Sequence, residues 1–143
     1  MAAKALVAGE TITTAGRTIG EGDITLFAGL AGDFTPIHVD DAFARTTPFG
    51  ERIAHGPLTL SVAVGLLTQT GMLGERVIGL VNLNWDFAGP VRIGDTIKAR
   101  VTVEEVRPTS KLDRNLATFL FEVVNQHGEA VQTGRLRVIV KAD

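Results

Sequence analysis

The run GPLTLSVAVGLLTQT at residues 56–70 decides how the rest of the chain must fold. Gly56-Pro57 is a helix-opening pair, because Pro57 occupies a first-turn position that needs no N–H partner and Gly56 sits at the cap. The helix extends to about residues 67–70 and stops before Gly71. It is apolar nearly all round, so most of its surface must be covered by something else. Only the downstream half of the chain can supply that cover. In residues 77–87, Val77, Val81, Leu83, Trp85 and Phe87 alternate onto one face. In residues 95–107, Ile97, Ala99, Val101 and Val103 alternate with Lys98, Arg100, Thr102 and Glu104. In residues 115–125, Phe119, Phe121 and Val123 oppose Thr118 and Glu122. In residues 130–141, Leu136, Val138 and Val140 oppose Arg135, Arg137 and Lys141. These period-two patterns predict four strands, with Gln126-His127-Gly128 as a hairpin connection.

Upstream, residues 10–19 read as a further strand. Gly20 and Gly22 break it, and Asp23 is placed to cap a short helix over residues 24–32 whose Ile24, Phe27 and Leu30 share a face. Residues 33–55 read as irregular, punctuated by Pro36, Pro48 and Gly50. Short connections between the last four strands imply an antiparallel sheet, which must curl around the 56–70 helix. The expectation is an α+β hot-dog fold, one domain over residues 1–143. A sheet of this kind exposes an edge strand, and pairing two edges in a C2 homodimer removes it.

Composition narrows the function. The chain has 143 residues, of which 45% are hydrophobic and 21% charged, the balance of an ordinary globular domain. A formal net charge of −2 argues against nucleic acid or an anionic membrane as partner, since both require a basic face. The absence of cysteine excludes disulfides, thiolate nucleophiles and Cys-ligated metals. The longest apolar run, around residues 60–67, is too short to span a bilayer. The N-terminal residues lack the pattern of a signal peptide, so the expected compartment is the cytoplasm.

Polar chemistry concentrates in Gly32-Asp33-Phe34-Thr35-Pro36-Ile37-His38 and the following Val39-Asp40-Asp41. Asp, Thr and Pro are also turn formers, but three features favour chemistry. The segment is longer than a connector needs to be. Pro36 stiffens the backbone between Asp33 and His38. Ile37 and Val39 flank His38 and imply partial burial. An Asp and a His held together in an apolar cleft can exchange protons with a bound water near neutral pH. A second cluster, Ile53-Ala54-His55-Gly56-Pro57, places the Gly56 N–H at a helix N-terminus, where it can polarise a carbonyl oxygen; His55 beside it reads as structural. A nucleophile elbow, a phosphate-binding loop and a dinucleotide fingerprint are all missing. His38, Asp40, Asp41 and His55 lack the spacing and ligand count of a metal site. No metal or redox cofactor is expected.

The segments FAGLAGDFTPIH (27–38), FA (43–44), TTPFG (46–50) and IAHG (53–56) resemble the MaoC-like dehydratase family, which includes the R-specific enoyl-CoA hydratases. The strong match spans residues 27–67. The resemblance implies a hot-dog dimer with an acyl-CoA thioester at the subunit interface. It makes Asp33 and His38 the catalytic pair and Gly56 the oxyanion-hole donor, with Thr35, Pro36, His55 and Ser61 around the substrate. The implied reaction is reversible hydration of a trans-2-enoyl-CoA to an (R)-3-hydroxyacyl-CoA. Two positions depart from the pattern: Thr35 stands where Asn is usual, and Pro57 where Met is usual. A serine found in some hydratases aligns with Val64, leaving Ser61 as the nearest hydroxyl. A dehydratase for a branched or dicarboxylic acyl-CoA and a non-catalytic acyl-CoA-binding subunit are the alternatives, since fold alone does not fix function.

Overall fold

The structure, a computed structural model, describes residues 4–143; Met1–Ala3, part of the expected 1–143 domain, lie outside the described residues. Element order is β1 (Thr11–Thr13), β2 (Arg17–Thr18), α1 (Glu21–Ala31), α2 (Pro36–Val39), α3 (Asp41–Ala44), α4 (Gly56–Gln69), β3 (Val77–Phe87), β4 (Thr96–Pro108), β5 (Arg114–Val124) and β6 (Ala130–Lys141). A 3-10 turn, Gly74–Arg76, leads into β3. The strands form an antiparallel sheet in the order β1-β4-β5-β6-β3, with β2 also on β4. The sheet curls over α4, which is the hot-dog arrangement and an α+β fold. Leu58, Ala63 and Leu67 of α4 join Ile97, Val101, Phe119, Phe121, Val138 and other sheet residues in one buried cluster.

The alternation in β4, β5 and β6 places apolar residues inside as expected, with Ile97, Ala99, Val101, Val103, Phe119, Phe121 and Val123 fully buried. Thr118, expected on the outer face, is buried as well. Strand β3 behaves differently. Its register against β6 shifts twice, between Val77 and Gly79 and between Leu80 and Asn82. Such bulges advance the chain by a residue and exchange the faces. Leu80, not Val81, therefore pairs with Val138 and shares a side with Leu83, Trp85 and Phe87. That row is poorly covered: Leu80 is 60% exposed and Phe87 53%.

The remaining differences have local causes. The strand expected over residues 10–19 is two short pieces. Between them the Thr14 hydroxyl accepts from the Ala99 N–H at 2.9 Å, so a side chain takes a place in the ladder. Helix α1 starts earlier than expected. Gly20 is its cap, and Asp23 lies in the first turn, where its carboxylate accepts the Gly20 N–H at 2.8 Å. Its buried residues are Ile24 and Ala28, whereas Leu30 is 83% exposed. Gly32 ends the helix with φ 74°, the left-handed conformation that favours glycine. The segment expected to be irregular contains α2 and α3; Pro36 opens the first, and the Asp40 carboxylate caps the second by accepting from the Phe43 N–H at 3.0 Å. Helix α4 is capped by His55, with Gly56 as its first residue. The sheet covers one side of α4; Leu60 remains half-buried, as do Val62 and Val64, which pack against the core. No helix among the described residues is long and apolar enough to cross a membrane.

Gly134 in β6 makes room for Trp85, its partner in the ladder. A Cβ at position 134 would overlap the Asn84 carbonyl oxygen and the Trp85 ring. Gly134→Ala is expected to destabilise the fold by about 1–3 kcal/mol, the usual cost of forcing atoms into a packed site. Equilibrium urea unfolding measures this, and an unchanged midpoint would contradict the packing.

Candidate active site

Helix α4 and the short helices α2 and α3 bring the two polar clusters of the sequence together. Arg52, almost buried, ties the segment before α4 to its neighbours: its guanidinium donates to Asp41 at 2.5 Å and to Glu21 at 2.6 Å. The Ala54 N–H donates to the Val91 carbonyl at 2.8 Å and fixes the same segment to the sheet side. On this frame, one ligand-capable atom from each of Asp33, His38 and His55 lies within 4.8 Å of the others.

Asp33 is half-buried. Its Oδ1 accepts from the Thr35 hydroxyl at 2.5 Å and from the Thr35 N–H at 3.1 Å. Those two bonds stabilise the ionised form and hold the carboxyl below the usual carboxylate range. Both engage the same oxygen, so Oδ2 is left for another partner. His38, one turn along α2, is half-buried. Its Nδ1 lies 2.7 Å from the Ile53 carbonyl oxygen. A carbonyl only accepts, so Nδ1 carries the proton and Nε2 of the neutral ring keeps its lone pair. His55 is 1% exposed. Its Nε2 donates to the Asp33 carbonyl at 3.0 Å, and its ring stacks on His38 with centroids 3.9 Å apart and planes at 26°. Phe27 backs it at 4.9 Å. His55 is thus a strut joining the start of α4 to the Asp33–His38 loop.

Asp33, His38 and His55 are also the set that could hold a metal ion. On each imidazole, one nitrogen bonds a backbone carbonyl and the other keeps its lone pair. The two rings meet face to face, whereas ligands converge on an ion edge first.

A cavity of about 450 Å³ opens beside His38. Gly56, Ile53, Phe87, Pro90 and Gln132 are among its lining residues. Gly56 is the first residue of α4, so its N–H has no acceptor inside the helix. The other expected contacts divide. Thr35 acts on Asp33, and Pro36 starts α2; both are exposed and neither lines the cavity. Ser61 is exposed, with its hydroxyl donating back to the Pro57 carbonyl at 2.7 Å, and it does not line the cavity either.

Two residues of the cavity were not among the expected site residues. Phe87 packs on Gly56 so closely that a Cβ there would lie 2.9 Å from two ring carbons. Gln132 is 2% exposed and bonds to Trp85 and Gly56. Its signal was present: Gln132 has the same parity as the inward Leu136, Val138 and Val140.

A family model described as the MaoC like domain matches residues 4–120. The chain belongs to the MaoC-like family. It is 46% identical over 99 residues to an (R)-specific enoyl-CoA hydratase of Rhodospirillum rubrum, covering 66% of this chain and 65% of that protein. A second (R)-specific enoyl-CoA hydratase, from Aeromonas caviae, is 36% identical over 134 residues, 94% of this chain and 95% of that one. The crystal structure of the MaoC-like dehydratase from Rhodospirillum rubrum superposes with a TM-score of 0.85 at 30% identity, covering 96% of this chain and 94% of the other.

Thr35→Ala removes the shorter of the two bonds to Asp33. The Asp33 carboxyl, followed by carbon-detected NMR, is expected to titrate at a higher pH in the variant, closer to an ordinary carboxylate. An unchanged midpoint would show that the Thr35 hydroxyl does not hold the charge.

Proposed function

We propose that this protein hydrates a trans-2-enoyl-CoA reversibly to an (R)-3-hydroxyacyl-CoA, with Asp33 and His38 as the catalytic pair. The observation that carries this reading is that His38 and Gly56, the first residue of α4, line one cavity, while a carboxylate oxygen of Asp33, which does not itself line it, lies within 4.8 Å of a ring nitrogen of His38. The MaoC-like relatives named as (R)-specific enoyl-CoA hydratases support it.

Each group has a distinct task. The Gly56 N–H donates to the thioester oxygen and stabilises the enolate-like charge that develops there. Asp33, a weak base because Thr35 favours its charged form, accepts a hydrogen bond from the attacking water and orients it. His38 Nε2 takes one water proton as the water oxygen bonds to C3. The same imidazolium then returns that proton to C2, so the net addition is one water and His38 regains its neutral form. Both new bonds form on the face that carries the pair, which makes the addition syn. The cavity walls favour a neutral acyl chain: among the described residues, none that lines it is Lys or Arg, so an acyl carboxylate would find no cation there. A cavity of this size suits a short acyl group, within the usual range for ligand pockets.

The acting form is a homodimer. The uncovered row on β3, with Leu80, Leu83 and Phe87, and the half-buried side of α4 supply the apolar surface a second copy would cover. Sedimentation at micromolar concentration is expected to give twice the 15.2 kDa chain mass; a single-chain species alone would remove this part of the proposal.

Purified protein with crotonyl-CoA is the direct test of activity, read as loss of enoyl absorbance. His38→Ala and Asp33→Asn are each expected to lower kcat by about 10²-fold or more with the fold retained. Chiral analysis of the product is expected to give the R enantiomer. Normal turnover in either variant, a racemate or the S product would refute the assignment.

A further inference from the structure

The proposed reaction asks one backbone N–H, that of Gly56, to sit where charge develops. What keeps it there is a chain of contacts that starts in the sheet. Phe87 of β3 and Gln132 of β6 are opposite residues in the β3–β6 ladder. Phe87 packs against the Gly56 Cα, and the Gln132 Nε2 donates to the Gly56 carbonyl at 3.1 Å. One cross-strand pair thus holds the first residue of α4 from two directions.

The Gln132 amide cannot turn over freely. On its other side the Trp85 indole N–H reaches Oε1 at 2.8 Å. An indole nitrogen only donates and a peptide carbonyl only accepts. A carboxamide between them satisfies both in a single orientation, with oxygen toward Trp85 and nitrogen toward Gly56. Trp85 is itself fixed, wedged over Gly134 and 5.2 Å from the Phe121 ring. Gln132 is buried, so water does not stand in for either bond.

We infer that Gln132 is a positioning residue for the Gly56 donor, with Trp85 setting its orientation. It touches no reacting atom. It acts by fixing the first peptide units of α4, and a donor displaced by about 1 Å forfeits much of its effect on the transition state. The inference rests on the hydratase reading given above.

Two variants test it with crotonyl-CoA. Gln132→Met keeps the length of the side chain and removes both hydrogen bonds. It is expected to lower kcat about 10- to 100-fold with KM within about threefold, because an oxyanion contact strengthens in the transition state. Gln132→Glu separates positioning from packing. As a carboxylate it turns lone pairs toward the Gly56 carbonyl and repels it. As a neutral acid, a form that burial favours, it can again donate to Gly56 and accept from Trp85. The ratio of its kcat to that of the wild type is therefore expected to rise about tenfold between about pH 8 and about pH 5. Taking the ratio removes the pH dependence that the two proteins share; among the described residues, His38 is the one titratable side chain lining the cavity.

A Gln132→Met enzyme with near-normal kcat, or one that loses only in KM, overturns the inference. So does a flat ratio for Gln132→Glu, which also decides the matter if the Met variant does not fold. A wild type that turns over no enoyl-CoA overturns the hydratase reading first and this inference with it. Because that result is read on the unaltered protein, the two failures are distinguishable.

Discussion

The contact on which the site depends is the one between Phe87 and the bare Cα of Gly56. Any side chain at position 56 would meet two ring carbons at 2.9 Å. A larger residue there must displace the Phe87 ring, whereas the backbone conformation of Gly56 is ordinary. The close approach lets the end of β3 press on the first turn of α4. The cavity opens at that junction because strand, helix and the His38 loop all end nearby. Remove the contact and Gly56 keeps only one of its two supports from the sheet, the Gln132 bond to its carbonyl.

The helix tolerates this pressure because the sheet holds it firmly further along. Leu58, Ala63 and Leu67 are sealed against strands whose own inward residues are fully buried. Burial of that kind contributes on the order of 1.5–3 kcal/mol for each large apolar side chain. The polar machinery, by contrast, sits near the surface. Asp33 and His38 are half-buried, and their order comes from short bonds to Thr35 and to the Ile53 carbonyl. A rigid core carries an Asp33–His38 pair that itself buries little.

Much of this was legible in the sequence because it depends on period and punctuation. The apolar run of α4, the alternation in β4, β5 and β6, and the Asp33–His38 and His55–Gly56 clusters could each be read locally. What could not be read depends on pairing across the chain. The bulges in β3 exist only relative to β6, so Val81 was assigned the place that Leu80 takes. Thr14 replaces a backbone partner in a ladder that forms only when β4 is present. Ser61 was read as the hydroxyl nearest to the position of a family serine, which Val64 occupies, yet a helical hydroxyl readily turns back onto the carbonyl four residues earlier. Gln132 stood in an inward row but carried no motif; its meaning arises from Trp85, 47 residues away.

The position of Trp85 also makes the protein self-reporting. It is the sole tryptophan in the chain, and its indole N–H is bonded to a residue of the cavity wall. Indole emission responds to polarity and hydrogen bonding around the ring. The folded protein therefore carries one intrinsic fluorophore, two hydrogen bonds from the helix terminus. Occupancy of the cavity can be followed by light with no label attached and no second tryptophan to subtract.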